Sequence, residues 1–118
     1  MTTDLHGNKI DVLCVKGSGW DLSTIETPGL PAVRLDRLLE LESLKALSDE
    51  EMVNVQRASL LDSAAPNPSV ETLLHAFLPH KFIDHTHATP FLALANLPDA
   101  EAVMKEIFGG EMVYVPYV

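Results

Sequence analysis

Alternating apolar and polar residues predict three β-strands along the chain. The segment 9–16 (KIDVLCVK) alternates and is rich in β-branched residues, which favours a strand near residues 10–16. The segment 81–88 (KFIDHTHA) also has the pattern of a strand, and residues 111–117 near the end of the chain are apolar and strand-like. We therefore expect a sheet that is built on these three segments.

Two segments carry the signals of helices that are capped at their N-termini. Ser48 is followed three residues later by Glu51, as in a capping box, and the helix that they begin should extend to about Leu61. Ser69 is expected to cap a second helix over residues 69–78. The apolar stripe of this helix is predicted to pack against the sheet through Leu73, Leu74 and Phe77.

The remaining segments complete an alternation of strands and helices. Residues 33–44 mix both periods and are expected to divide between a short strand and a helical turn. Helices are also expected over 89–96 and 99–108, the second closed by a pair of glycines. Breaks rich in glycine or proline separate the elements at residues 17–19, 27–31 and 62–68. This order predicts a layered α/β domain.

The size and charge of the chain limit its class. It has 118 residues, which is one modest domain, and its 17 acidic against 8 basic residues give a net charge of −9. This acidity argues against partners that are nucleic acids or anionic membranes. No apolar run approaches the length that crosses a bilayer, and the first residues lack a signal-peptide pattern. We expect a cytoplasmic protein whose single cysteine, Cys14, is a small buried apolar residue.

His85-Thr86-His87 is the segment of the sequence that most clearly indicates a candidate site. Residues two apart on a strand point to the same face, so these imidazoles can converge on one divalent metal ion. Sites that contain histidine favour zinc or a similar first-row ion. The alternative is a pair of half-buried polar residues at the end of a strand.

Glu71 lies near the start of the helix that precedes this predicted strand. A helix and a strand in succession form a hairpin, which would bring the Glu71 carboxylate to a metal held by the histidines. There it would serve as a ligand or, when displaced, as a general base. The alternative is a first-turn glutamate that interacts favourably with the helix dipole. We interpret His75 as a hydrogen-bonded core residue and His80 as a solvated one.

A glycine-rich turn, Gly17-Ser18-Gly19, follows the first predicted strand. Glycines let backbone N–H groups approach an anion closely, and Lys16 and the Ser18 hydroxyl are candidates to bind a phosphate. The turn matches neither a Walker A loop nor a dinucleotide fingerprint. A plain tight turn explains the spacing equally well. Trp20 either covers a pocket or anchors the turn.

Four segments, in this order, resemble the class II aldolase/adducin superfamily. Residues 12–22 (VLCVKGSGWDL) are similar to its phosphate-loop strand, and residues 68–71 (PSVE) to the motif of its acid/base glutamate. His75 recurs at a helical histidine position of the family, and residues 83–88 (IDHTHA) resemble its metal-binding His-x-His. The similarity is greatest to the branch related to rhamnulose-1-phosphate aldolase, which is often fused to a dehydrogenase domain.

The resemblance implies a fold and a set of roles. The fold is a three-layer α/β/α class II aldolase-like fold with a mainly antiparallel central sheet. Glu71 is the acid/base that moves a proton at the carbon of an enediolate. A divalent metal, zinc by preference, is held by His85 and His87 together with Glu71. The substrate phosphate is held by three matching positions, Ser18, Gly19 and Ser69.

The implied reaction is that of a lyase. A phosphorylated ketose, such as rhamnulose 1-phosphate, is cleaved to dihydroxyacetone phosphate and an aldehyde. The alternatives are a sugar-phosphate epimerase or decarboxylase on the same scaffold, and a non-catalytic, adducin-like interaction domain. Family members commonly form tetramers, so we expect a homo-oligomer.

The chain departs from the family pattern at three places. The third metal histidine of the family would lie beyond Val118, its Gly-Asn-x-Ser segment would lie before Met1, and Val70 stands where some members have a serine. We therefore expect residues 1–118 to be one partial domain, truncated at both ends. We also expect this piece alone to release no more dihydroxyacetone phosphate from a ketose 1-phosphate than its Glu71→Gln variant.

Overall fold

The computed structural model describes residues 1–116, and the chain divides into two compact units, Met1–Ile83 and Asp84–Val118. Within the described residues, the strands lie in the first unit together with three α-helices, and two further α-helices lie in the second. None of the described helices is long and apolar enough to span a bilayer.

The strands of the first unit form two separate antiparallel pairs. The elements are β1 (Thr2–Thr3), β2 (Lys9–Ile10), β3 (Val12–Cys14) and β4 (Ala32–Arg34), and β1 pairs with β2 while β3 pairs with β4. The strand predicted over 10–16 is therefore confirmed in part, because it is interrupted at Asp11 and ends at Cys14. Cys14 is exposed, so the expectation that it is buried is wrong.

Residues 33–44 divide between a strand and helical turns, as the mixed periodicity predicts. β4 leads directly into α1 (Leu35–Leu39), which continues as a 3-10 turn over Glu40–Ser43. The backbone of this segment is tied to the strands, because the Leu35 N–H donates to the Asp11 carbonyl at 3.1 Å.

The predicted capping box begins the next helix, α2 (Asp49–Ala58). The Ser48 hydroxyl accepts a hydrogen bond from the Glu51 N–H at 3.3 Å, and a Glu51 carboxylate oxygen accepts one from the Ser48 N–H at 3.2 Å. The helix ends at Ala58 and not near residue 61, because Leu60 already forms a bridge with Val33 of β4.

The helix predicted over 69–78 begins three residues later than expected, and α3 covers Thr72–Phe77. Ser69 does not cap it with its side chain. Instead, the Ser69 carbonyl accepts hydrogen bonds from the Thr72 N–H at 3.1 Å and from the Thr72 hydroxyl at 2.6 Å. Residues 69–72 therefore form a turn ahead of the helix, and Glu71 occupies the N-cap position.

The core of the first unit contains apolar residues from the strands, α1 and α3. Leu73 and Phe77 of α3 pack against this core, which includes Val33 of β4, so the prediction that they face inward is confirmed. Leu74 is 49% exposed, so the prediction that it packs inward is wrong. Positions 73 and 77 share one helical face, whereas position 74 lies about 100° around the helix. The centre of the core consists of Val15, Val33, Leu38 and Ala76.

The second unit contains the two remaining helices, α4 (Thr89–Ala95) and α5 (Ala100–Phe108), close to their predicted bounds. Their contact includes stacked rings of Phe91 and Phe108, whose centroids are 5.4 Å apart at an interplanar angle of 21°. Gly109 follows α5 with φ of 58°, a left-handed conformation that glycine adopts readily at the end of a helix.

The strands predicted over 81–88 and 111–117 are wrong for the described residues, which form neither helix nor strand there. Residue 117 lies outside the described part of the chain. An apolar or alternating segment becomes a strand only when a neighbour accepts and donates the ladder hydrogen bonds, and neither segment has one among residues 1–116. The fold combines helices with antiparallel strand pairs, and the three-layer arrangement stays a prediction.

Candidate functional site

The glycine-rich turn pairs with the segment that precedes Glu71. Residues 16–18 and 67–69 lie antiparallel to each other, although they are distant in the sequence. Three contacts join them: the Gly17–Pro68 bridge, the hydrogen bond from the Ser18 N–H to the Asn67 carbonyl (2.7 Å), and that from the Ser69 N–H to the Lys16 carbonyl (3.0 Å). This ladder brings the segment of Ser18 and Gly19 beside Ser69.

Two glycines are needed for the shape of this turn. The Gly17 N–H donates to the Gly29 carbonyl at 2.7 Å, and a Cβ on Gly17 would lie 2.9 Å from Cγ of Pro66. Gly19 has φ of 84°, which side-chain-bearing residues rarely adopt. A close backbone approach and a left-handed turn therefore account for both glycine positions.

Lys16 and Trp20 stabilise the glycine-rich turn through a hydrogen-bonded ammonium and a packed ring. The Lys16 ammonium donates to the carbonyls of Trp20 at 3.0 Å and of Gly17 at 3.3 Å. The Trp20 ring packs so closely on Gly29 that a Cβ there would lie 2.6 Å from Cδ2 of the indole. Of the two roles considered for Trp20, the contacts support that of an anchor of the turn.

The carboxylate of Asp21 lies shortly after the glycine-rich turn in the sequence. The pKa of Asp21 is held below its ordinary value by hydrogen bonds from the Ser23 hydroxyl and the Ser23 N–H, and to a lesser extent by the charge of Lys16. Asp21 is therefore ionised at neutral pH. Because this negative charge lies near the ammonium of Lys16, an anion at the turn would depend on hydrogen-bond donors and on further cations.

Glu71 is half-buried and lies in the turn that also contains Ser69. Its backbone carbonyl accepts the His75 N–H at 3.2 Å, which ties the turn to α3. Ser69 itself is 7% exposed, and its N–H and carbonyl are both engaged in backbone hydrogen bonds. One short turn thus presents a candidate phosphate residue and a candidate acid/base two positions apart.

His85 and His87 lie in the second unit, ahead of α4. Their ring centroids are 4.8 Å apart at an interplanar angle of 56°, and their ligand nitrogens lie within 4.8 Å of each other. His85 is half-buried and His87 is exposed. The rings lie close together although the segment is not a strand, so the strand alternation on which the prediction rested is not what brings them together.

The side chains of this pair are suitable ligands for a divalent metal ion. Zinc bonds imidazole nitrogen at about 2.0–2.1 Å, so two nitrogens on one tetrahedral ion are about 3.3 Å apart. Neutral imidazole is also a ligand that zinc and similar first-row ions prefer.

His75 and His80 both lie in the first unit. His75 is half-buried on α3, as interpreted from the sequence, and His80 is exposed. Asn67, whose carbonyl accepts the Ser18 N–H, is not among the site residues that the sequence indicated. Its position between two prolines is typical of a loop, and no local signal indicates its distant partner.

Comparisons with known proteins agree with this fold. A family model described as the class II aldolase and adducin N-terminal domain matches residues 7–118. The chain is 40% identical over 115 residues to a Bacillus subtilis protein named uncharacterized oxidoreductase YuxG, covering 98% of this chain and 17% of that protein. A solved structure of the N-terminal class II aldolase domain of a conserved protein from Thermoplasma acidophilum superimposes with a TM-score of 0.91 at 38% identity.

The coverage of these matches is unequal. The superposition includes 99% of this chain and 55% of the Thermoplasma chain, so the present sequence spans about half of one relative and about a sixth of the other. The family model nevertheless covers nearly all of residues 1–118. The chain therefore belongs to the class II aldolase and adducin N-terminal domain family.

Proposed function

We propose that this domain belongs to a metal-dependent lyase that cleaves a phosphorylated ketose to dihydroxyacetone phosphate and an aldehyde, rhamnulose 1-phosphate being one such ketose. The observation that carries the proposal is the pairing of residues 16–18 with 67–69, because it joins candidate phosphate residues directly ahead of Glu71. Family membership supports the same class of chemistry.

Ser18, Gly19 and Ser69 hold the substrate phosphate in this proposal. The hydroxyls of the two serines and the backbone N–H of Gly19 are suitable donors to phosphate oxygens. Since the Ser18 N–H already donates to the Asn67 carbonyl, the contribution of Ser18 is its hydroxyl. A phosphate fixed at this ladder positions the attached carbon chain near the turn of Glu71.

Glu71 is the acid/base of the proposed reaction. When the carbon–carbon bond of the ketose breaks, the hydroxyl on the departing carbon loses its proton to a base and becomes the aldehyde oxygen. The electron pair of the bond remains on the dihydroxyacetone phosphate fragment as an enediolate. Glu71 returns a proton to that carbon, and in the direction of synthesis it removes the same proton. Glu71 is half-buried, and its backbone lies in a turn that hydrogen bonds hold at Ser69 and at His75. A fixed backbone limits the positions that the carboxylate can reach, which supports a role as base.

His85 and His87 would hold a divalent metal ion, zinc by preference, and Glu71 would be a further ligand that acts as the acid/base when it is displaced from the ion. When bound, the ion supplies Lewis-acid polarisation of the oxygens beside the reacting carbon. The mutual distance of the two imidazoles supports this assignment. Glu71 is assigned to the centre by its place in the family motif.

Other functions fit the scaffold less specifically. An epimerase or a decarboxylase would use the same residues, and only a substrate profile separates them from an aldolase. An adducin-like interaction domain would not need the imidazole pair. The name of the Bacillus relative includes oxidoreductase, but the chain covers 17% of that protein, so we assign no redox step to this domain.

Zinc binding by the 118-residue chain tests the metal site. We expect His85→Ala and His87→Ala each to raise the dissociation constant at least about tenfold, since each removes one ligand. His80→Ala is the matched control, because it removes an exposed histidine outside the pair. Isothermal titration calorimetry is the measurement, and equal affinities in all three variants would contradict the assignment.

The role of Glu71 is tested in a longer protein that carries this domain. Glu71→Gln is expected to lower the release of dihydroxyacetone phosphate by about a hundredfold or more, because the amide cannot transfer a proton. The melting temperature should stay within a few degrees of the parent protein. Full turnover in this variant would refute the role of Glu71 as acid/base.

A further inference from the structure

The paired segments bring four polar side chains to one face. In an antiparallel pair, directly opposed residues point to the same side, and their neighbours along each strand point to the other. The opposed pair Gly17–Pro68 is buried, with Gly17 directed towards Pro66 and Gly29. The same alternation places the neighbours, Lys16, Ser18, Asn67 and Ser69, on the opposite face. Ser18 and Asn67 are exposed, whereas Ser69 is 7% exposed.

Arg57, near the C-terminal end of α2, reaches this polar face. Its Nη1 donates a hydrogen bond to Oδ1 of the Asn67 side chain at 2.7 Å. Asn67 is opposite Ser18 in the ladder, and opposed residues have Cβ atoms about 4.5–5.5 Å apart. Asn67 thus contacts both the glycine-rich turn and α2, through its carbonyl to the Ser18 N–H and through its side chain to the guanidinium of Arg57.

The charge of Arg57 is not neutralised by a carboxylate. Arg34 pairs with Asp36 at 2.6 Å and Arg37 with Glu40 at 4.0 Å, whereas Arg57 has no ion pair among residues 1–116. Its guanidinium is planar and carries several N–H donors, of which the Asn67 side chain accepts one. Two parallel N–H groups of a guanidinium can donate to two oxygens of one phosphate group, a geometry that an ammonium does not match.

We propose that Arg57 is a further substrate-binding residue, whose guanidinium binds the phosphate group held by Ser18, Gly19 and Ser69. Asn67 is then a positioning residue that fixes the guanidinium beside the ladder. The inference rests on the proposed function and deepens it, because a fixed cation at this position selects phosphorylated sugars over neutral ones. The guanidinium also adds a positive charge to that of Lys16, which Asp21 offsets at the turn.

Titration of the 118-residue chain with dihydroxyacetone phosphate, followed by NMR, tests this inference. Arg57→Gln is expected to raise the dissociation constant at least about fivefold, and Arg57→Lys, which keeps the charge without the parallel N–H groups, to give an intermediate value. Arg37→Gln is the matched control, because it removes the same charge from an exposed arginine of α1. Equal dissociation constants for Arg57→Gln and Arg37→Gln would overturn the inference.

Two further measurements separate this inference from the proposed function. If Ser18→Ala weakens binding and Arg57→Gln does not, the phosphate site stands and the role of Arg57 fails. If neither Ser18→Ala nor Ser69→Ala changes the dissociation constant, the phosphate site fails and the inference falls with it. Unphosphorylated dihydroxyacetone is the last control, since an equal effect of Arg57→Gln on its binding would indicate a merely structural role and overturn the inference.

Discussion

Gly29 and Trp20 illustrate how single residues determine the shape of the candidate phosphate turn. The indole lies where a side chain on Gly29 would begin, and the Gly29 carbonyl accepts the Gly17 N–H at 2.7 Å. The Thr27–Gly29 turn therefore supports the glycine-rich turn on its buried side. Neither residue is near enough in the sequence to Ser69 to be recognised as part of the same site.

Substitution of Gly29 by alanine should destabilise the first unit. The added Cβ would lie 2.6 Å from Cδ2 of Trp20, so the ring or the backbone must shift, at a cost of about 1–3 kcal/mol. Gly110→Ala is the control, because nothing lies within 4 Å of its added Cβ. Urea unfolding followed by circular dichroism measures both variants, and similar free energies of unfolding for the two would contradict this account of the turn.

At the scale of the element, α2 is the helix whose start is most completely specified by local sequence. The hydrogen bonds of Ser48 lower the pKa of Glu51 below its ordinary value of 4.5, the side-chain hydrogen bond contributing most. A carboxylate whose folded pKa is depressed stabilises the protein above its unfolded pKa. That contribution is lost as the pH falls through the folded pKa.

Ser48→Ala should therefore have an effect that depends on pH. Near pH 7 the loss of the cap is expected to cost about 1 kcal/mol of unfolding free energy. The difference from the parent protein should shrink as the pH falls below the ordinary pKa of Glu51, because protonation weakens the capping box in the parent protein as well. Glu50→Gln, in the same helical turn but outside the box, is the control. A difference that stays constant from pH 6 to pH 3 would be inconsistent with the capping box.

These elements also indicate how far the sequence predicts the fold and the site. The start of α2 is predicted because Ser48 and Glu51 lie within one turn of each other. The strand predicted over 81–88 fails because its formation requires a partner elsewhere in the chain. The proximity of Ser18 and Ser69 was expected only from the family resemblance, and the contact of Arg57 with Asn67 was not expected at all. Contacts between distant segments are fixed by packing, which periodicity does not encode.

At the scale of the whole molecule, the two units differ in how they are stabilised. The first unit has a buried apolar cluster that includes Val33 and Leu38. In the second unit, Ala100 is the buried apolar residue among those described, and Val113 is 89% exposed. Local opening is easier where few apolar contacts must be broken. The two units are therefore expected to open with different free energies.

Amide hydrogen exchange should reveal this difference. The Arg34 N–H, which donates to the Ser59 carbonyl at 2.9 Å beside the core, is expected to exchange at least about tenfold more slowly than the amides of α4 and α5. Exchange monitored by NMR on the 118-residue chain is the measurement. Equal protection across both units would mean instead that residues 1–116 open as one cooperative unit.

The pairing of Gly17 with Pro68 has a consequence for how the protein reaches its native state. The whole of residues 18–67 lies between the two partners, so the ladder forms only when this long loop closes. Closure of such a loop costs entropy before any contact compensates for it, and contacts between distant residues slow folding. The unfolded chain lacks the proposed phosphate site, because its two segments are then not paired. A phosphorylated ligand would then act as a selective stabiliser of the folded form and raise its melting temperature in proportion to the logarithm of its concentration once the site is nearly saturated.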